Sequence, residues 1–357
     1  MVKDAVPLGE CGRALVVKLR HHGDVLLAAP VLSVLKAHAP AIEVDALVYD
    51  DTAPMLAGHP ALARLHTAGR NWRSLGALDR LRREKALFGE LRARRYDLLV
   101  HLSEQPRGAW LARTLGATYS VGPIDRERGG WWHRSFTHLY PLVRNRHAVE
   151  VNLDALRRIG VQPGTAERKV VFVPGQAAED RVRDLVAEPF VHMHPASRWR
   201  FKCWTPERNA ALADRLAGEG HRIVFTAAPD ETPLIDEIVA KMKSRPVNLA
   251  GKLSLKELGA LIGRAKVFIG VDSMPMHVAA AMGVQTVALF GPSSEVVWGP
   301  WNVEQRVLTT SHSCRPCGVD GCGGSKVSEC LTTLEVDQVH EAVEQLLVVQ
   351  RQNTTEA

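Results

Sequence analysis

The sequence predicts an α/β protein built from two doubly wound, Rossmann-like domains facing across a cleft. Short Val-, Ile- and Leu-rich runs alternate with helical stretches, the pattern of βαβ units on a parallel sheet. The alternation runs through the first half of the chain and restarts at Phe190. At 357 residues the chain exceeds the size at which one hydrophobic core usually stops growing. The expected division is a first domain over 1–175, a second over 176–335, and a C-terminal helix and tail over 336–357.

In the first half, Ala14–Leu19 reads as a strand, Arg20–Asp24 as a tight polar loop, and Val25–Ala37 as one helix. Ile42–Val48 and Leu62–Thr67 read as the next strands, with a short helix at Asp51–Ala57 between them. Leu78–Arg95 is rich in arginine, and the spacing of Leu78, Leu81, Leu87 and Leu91 suggests an amphipathic helix. Asp97–Leu102 is a strand, Ala109–Leu115 a helix, Tyr119–Pro123 a strand, Gly129–His133 a flexible aromatic loop and Ala148–Ile159 a helix. Val161–Ala187, with its Pro, Gly and mixed charges, reads as the interdomain connection.

The second half repeats the scheme. Phe190–His194, His221–Thr226, Val247–Leu249, Lys266–Val271 and Thr286–Phe290 read as strands; Pro206–Ala217, Leu234–Lys243, Ser254–Arg264 and Met276–Met282 read as helices. Pro206 suits a first helical turn. Ser254 and Glu257 stand at capping-box spacing. Val336–Val349 reads as an amphipathic helix.

The formal charge is +6, with 46% hydrophobic and 24% charged residues. That composition suits a soluble globular protein that meets something anionic. No apolar run is long enough to span a membrane, and the first twenty residues lack a signal-peptide pattern. A cytoplasmic location follows as an expectation. There is no G-x-G-x-x-G and no P-loop pattern, which argues against a nicotinamide dehydrogenase or a P-loop enzyme. No cofactor is expected. No Asp-x-Asp stands in the loops, so no metal-bridged diphosphate is expected either.

The polar residues at the strand ends carry the candidate chemistry, since ligands of open α/β sheets bind outside the carboxyl ends of the strands. Asp24 follows the first strand and reads either as a helix N-cap or as a base for a substrate hydroxyl. Ser197, Lys202, Asp272, Ser273, Met274 and His277 lie near strand ends or helix starts of the second half. Backbone N–H groups with a lysine suit a diphosphate leaving group. Asp230 or Glu231 reads either as a ribose contact or as an exposed turn. Cys314, Cys317, Cys322 and Cys330 form C-x2-C-x4-C-x7-C. Such thiols could hold zinc or an iron–sulfur cluster, or belong to a reduced or partly disulfide-linked loop; no metal is assigned.

Four segments together resemble the ADP-heptose:lipopolysaccharide heptosyltransferases: VVKLRHHGDVLLAAPVL (Val16–Leu32), HPASRWRFKCW (His194–Trp204), Gly251–Ser293 and Cys314–Leu331. The last resembles most the branch that adds the third heptose. The resemblance implies a GT-B fold and transfer of L-glycero-D-manno-heptose, with inversion, from ADP-heptose to the lipid A-linked inner core of lipopolysaccharide. It implies Asp24 as general base, Lys202 on the donor phosphates, Asp272 on the donor sugar, Ser273, Met274 and His277 beside the diphosphate, and Glu231 at the adenosine ribose. Ser197 falls in the same donor group.

Two positions depart from the family pattern. Arg20-His21-His22 replaces a small Ser- or Gly-rich loop, and with Arg107 these residues are assigned to the acceptor. Met274 replaces a common Gly. The acceptor would place the protein at the cytoplasmic face of the inner membrane, with peripheral contact and no nucleic-acid partner. The alternatives are a GT-B enzyme using another nucleotide sugar, and a non-catalytic binder of anionic polymers.

Overall fold

The computed structural model describes residues 4–355, with side chains from 4 to 349 except that of Arg73. The expected tail's last two residues lie outside that span. The chain divides into two compact units, Met1–Val173 and Pro174–Ala357.

The first unit carries the parallel strands β1 (Arg13–Val17), β2 (Glu43–Tyr49), β3 (Leu62–Ala68), β4 (Leu98–His101), β5 (Tyr119–Pro123) and β6 (His138–Tyr140), in the order β3-β2-β1-β4-β5-β6. The second unit repeats the arrangement with β7 (Phe190–His194), β8 (Arg222–Phe225), β9 (Val247–Asn248), β10 (Val267–Val271), β11 (Thr286–Leu289) and β12 (Gln305–Leu308), in the order β12-β11-β10-β7-β8-β9. Every pairing is parallel. This is the doubly wound order, and the direction of winding reverses between β1 and β4 and again between β7 and β10. The loops after those four strands therefore lie at the two switch points.

Strands covered on both faces are mostly apolar, and β4, β7 and β10 are buried along their whole lengths, the histidines of β4 and β7 included. The first core includes Leu15, Val17, Leu99, Trp132 and Phe136; the second includes Met193, Trp204, Phe225 and Ile269. The C-terminal helix Val336–Thr355 contributes Val339, Val343, Leu346 and Leu347 to that second core. Each such side chain contributes about 1.5–3 kcal/mol by leaving water. Ser254 caps the helix Leu255–Ile262 as expected, its Oγ accepting from the Glu257 amide while Glu257 Oε2 accepts from the Ser254 amide at 2.7 Å.

Several expectations are corrected. The segment expected as one helix over 25–37 is two, His22–Leu26 and Ala29–His38. Pro30 has no N–H to bond the Leu26 carbonyl, so the ladder breaks there. Gly129–His133 is a short helix rather than a flexible loop, because Trp132 is fully buried and its Nε1 donates to the Pro123 carbonyl at 2.7 Å. The segment expected as a linker contains the helix Gln176–Leu185, which buries Ala178 and Val182. In the arginine-rich helix Ala77–Ala93, Leu87 and Leu91 are buried, while Leu78 and Leu81 are 74% and 64% exposed. Only its C-terminal half reaches the core. The edge strands β6 and β12 were not expected.

Candidate active site

In the second unit, β7, β8 and β10 are neighbours and their carboxyl ends bring the expected donor residues onto one edge. Lys202 ends a short 3-10 turn after β7, and Asp272 follows β10 directly. Lys202 Nζ donates to Asp272 Oδ2 at 2.5 Å. The Asp272 side chain is 8% exposed and that of Lys202 22%. An ammonium has three N–H donors, so this bond leaves capacity for phosphate oxygens.

Ser273 occupies the N-cap of the helix Met274–Ala281, yet its side chain makes no capping bond. Its hydroxyl oxygen is buried and has no partner among the described residues, a donor that a ligand oxygen would satisfy. Met274 is the first residue of that helix, and Pro275 after it has no N–H to offer an anion. His277 is buried within the helix. Ser197 lies in the loop after β7, where its Oγ accepts from the Trp199 amide at 3.4 Å.

Glu231 closes the 3-10 turn Pro229–Glu231 after β8. Its Oε2 accepts from the Ala228 amide at 3.0 Å, and burial raises its pKa against the pull of that bond. His194 Nε2 lies 3.9 Å away. His192 and His194 share the Thr226 hydroxyl, at 2.6 and 2.8 Å. Burial lowers both histidines, His194 to about 3. Two neutral rings and a threonine thus back the Glu231 turn.

In the first unit, Asp24 is the third residue of the helix His22–Leu26, and His21 occupies the N-cap position. Asp24 is therefore not the cap. Its side chain is 15% exposed, and Oδ1 lies 3.7 Å from Arg20 Nε. Lys18 is buried nearby, donating to the Leu102 carbonyl at 2.8 Å and to Asn152 Oδ1 at 2.9 Å. Burial pulls the Lys18 pKa down to about 8, while the Asp24 carboxylate pulls the other way. Asn152 in turn donates to the Leu27 carbonyl at 3.0 Å, so Lys18 and Asn152 tie the ends of β1 and β4 to the Asp24 helix.

The residues expected at the acceptor are divided between the start of this helix and the helix after β4. Arg20 is 42% exposed, and its carbonyl accepts from Arg70 Nη2 at 2.9 Å. His21 is exposed. His22 Nε2 meets the Asp51 carbonyl at 3.0 Å, and burial lowers its pKa. Arg107, in the helix after β4, pairs with Glu84 and lies 5.7 Å from the Trp72 ring. It borders a cavity of about 520 Å³ lined also by Tyr49, Arg70, Trp72, Phe88 and Trp110. Arg107 Nη1 is buried without a partner among the described residues.

A family model described as glycosyltransferase family 9 (heptosyltransferase) matches residues 85–327. The chain belongs to this family. It is a glycosyltransferase with the GT-B type fold, two Rossmann-like units in sequence. It is 36% identical over 291 residues to lipopolysaccharide heptosyltransferase 3 of Escherichia coli K12, covering 79% of this chain and 83% of that protein. It is 27% identical over 358 residues to lipopolysaccharide heptosyltransferase 1 of Pseudomonas aeruginosa, covering 94% of this chain and 98% of the relative. Among solved structures, it is similar to a family 9 glycosyltransferase from Veillonella parvula, with a TM-score of 0.84 at 24% identity, covering 97% of this chain and 99% of that one. It is also similar to the E. coli heptosyltransferase WaaC with ADP, with a TM-score of 0.74 at 22% identity, covering 94% and 99%.

For this family 9 glycosyltransferase, the sequence reading missed Lys18, Asn152, Thr226 and the aromatic cavity. Lys18 left a signal: a lysine inside a run that must be buried needs named partners. Asn152 and Trp72 left none, since they reach their neighbours only through the tertiary fold.

Proposed function

We propose that this protein transfers L-glycero-D-manno-heptose from ADP-heptose to a heptose of the lipopolysaccharide inner core, with inversion at the anomeric carbon. The Lys202–Asp272 pair at the β7/β10 switch point carries the reading. It places one cation and one nearly buried carboxylate beside the orphan Ser273 hydroxyl, which suits a nucleoside diphosphate joined to a polyhydroxylated sugar. The K12 relative is named lipopolysaccharide heptosyltransferase 3, which supports heptose as the transferred unit.

The reaction is a single displacement. Asp24 accepts the proton of the acceptor hydroxyl, whose oxygen forms the bond to the anomeric carbon. The bond from that carbon to the diphosphate oxygen breaks, and its electron pair leaves with ADP. Lys202 and the helix end at Ser273 and Met274 stabilise the charge that grows there. Asp272 holds the donor sugar, Glu231 the ribose, and Ser197 and His277 complete the donor group. Arg20, His21, His22 and Arg107 take the acceptor, whose anionic groups suit the charge of the two arginines. No metal or cofactor enters this scheme.

The lipid-linked acceptor lies at a membrane, and we assign the protein to the cytoplasmic face of the inner membrane by peripheral contact. Among the described residues no helix is long and apolar enough to cross a membrane. Exposed Leu78 and Leu81 alternate with Arg80, Arg82 and Arg83, a pattern that suits an anionic lipid surface. The testing experiment supplies the purified protein with ADP-heptose and truncated core oligosaccharides and reads the linkage by NMR. A new heptosyl linkage of inverted configuration is expected; transfer only from UDP- or GDP-sugars would overturn the reading.

A further inference from the structure

Cys314, Cys317, Cys322 and Cys330 take no part in the chemistry above. They lie in the segment after β12, where a long stretch without regular core folds back on the end of β11. Between Thr309 and Ser328 only Gly321 and Ser328 are buried, and Val319 and Val327 are 50% and 49% exposed. No apolar side chain of that stretch is buried to hold it. Loops of this length in a compact domain need another source of order.

Polar contacts gather the segment around two residues, Gly291 and Pro292. The Gly318 amide donates to the Pro292 carbonyl at 2.9 Å, and Arg315 Nε donates to the Gly291 carbonyl at 2.7 Å. Cys314 and Cys317 flank Arg315 and Gly318, so both are carried to this point. Cys330 arrives from the other side: a Cβ at Gly291 would stand 3.4 Å from Cys330 Sγ. The Thr310 hydroxyl donates to the Cys330 carbonyl at 2.9 Å, tying the start of the stretch to its end. Cys322 sits where the chain turns back, its amide donating to the Val327 carbonyl at 2.7 Å. Gly321 permits that turn with φ +104°; a Cβ there would come within 2.6 Å of the Lys326 and Val327 backbone.

All six cysteines of the chain are free thiols. Cys330 is buried, Cys322 is half-buried, and Cys314 and Cys317 are exposed. No three of the four sulfurs lie within 4.8 Å of one another in this structure. Among the described residues, the one group of three metal-ligating atoms within 4.8 Å of one another is Glu219, His340 and Glu344. In that group the buried His340 is already bonded through Nε2 to Glu219, at 2.8 and 3.0 Å, and it carries no argument for an ion.

We propose that Cys314, Cys317, Cys322 and Cys330 together bind one thiophilic divalent cation, zinc or ferrous iron, in a tetrahedral four-thiolate centre that fixes this segment beside Gly291 and Pro292. The C-x2-C pair is the spacing at which two thiolates grip one tetrahedral ion, and Cys322 and Cys330 complete the set. Rotation about χ1 moves each sulfur without moving its backbone. Each thiol loses its proton as it ligates, so binding releases protons and tightens as pH rises. Four sulfur ligands close the coordination shell, which makes the centre structural rather than catalytic.

The test uses the full chain, purified anaerobically without chelators. Metal analysis is expected to give one zinc or one iron per chain. The protein stripped of metal and loaded with Co²⁺ is expected to show sulfur-to-cobalt charge transfer and the visible bands of a tetrahedral tetrathiolate. Cys314→Ser and Cys317→Ser remove these bands; Cys11→Ser and Cys203→Ser do not. Native alkylation serves even where a variant fails to fold: Cys314 and Cys317, exposed in the fold, should react slowly in the loaded protein and rapidly after chelation. Rapid alkylation in the presence of excess zinc, a disulfide among the four in the isolated protein, or acid-labile sulfide with more than one iron would each overturn the proposal.

Discussion

Lys202 Nζ stands 2.5 Å from Asp272 Oδ2, joining the loop after β7 to the end of β10 across the switch point of the second sheet. The pair satisfies a nearly buried carboxylate, and in the proposed reaction its cation also meets the donor phosphates.

Lys202→Met should therefore cost about 3–5 kcal/mol of stability, the penalty of leaving a buried charge without its partner. The double variant Lys202→Met/Asp272→Asn should regain most of that in urea denaturation. It should not regain ADP-heptose binding by calorimetry. Recovery of affinity together with stability would remove Lys202 from the phosphate role.

The close approach of the Gly108 helix to β4 sets a second prediction. A Cβ at Gly108 would stand 2.1 Å from the His101 ring, which itself stacks on Phe136 at 5.8 Å. Gly108→Ala should destabilise by about 1–3 kcal/mol through overpacking, read as a lower urea midpoint with an unchanged slope. An unchanged midpoint would mean that the ring moves aside without cost.

Buried histidines make the fold sensitive to acid. Burial lowers His59 to about 4, His101 to about 3 and His194 to about 3, against 6.5 when unfolded. Each contributes stability that is fully present above pH 6.5 and is lost as pH falls from there toward the folded value. In that window the unfolded chain holds more protons, so stability rises with pH by up to about 1.4 kcal/mol per pH unit for each histidine. Denaturation at pH 5 and pH 7.5 should show the lower midpoint at pH 5. Equal midpoints would contradict the neutral burial of these rings.

Leu78 and Leu81, 74% and 64% exposed, give the surface prediction. The double variant Leu78→Ser/Leu81→Ser should float less with anionic vesicles while keeping its stability, because neither side chain is in the core. Unchanged flotation would place membrane contact elsewhere.

The two sheets were legible because parallel strands covered on both faces are written as largely apolar runs, as at Val267–Val271. The capping box at Ser254 and Glu257 was legible because its donors and acceptors are local. The edge strands His138–Tyr140 and Gln305–Leu308 were not, since half-exposed or short segments leave a mixed pattern. The Gly129–His133 helix was hidden because Trp132 earns its place through Phe136 and Pro123, contacts that no local rule contains. For the site, strand-end polarity pointed to Asp24, Lys202 and Asp272, while Lys18 and Asn152 meet only because the tertiary fold brings residues 134 apart in sequence within 2.9 Å.

Asp24 as the proton acceptor is the centre of the account, and Asp24→Asn tests it with little change in shape. Transfer from ADP-heptose to a truncated core acceptor should fall by at least about 100-fold, the scale of a lost general base. ADP-heptose binding by calorimetry should stay within about twofold of the parent, because the donor residues belong to the second unit. Transfer at the parent rate, or loss of donor binding in step with transfer, would contradict it.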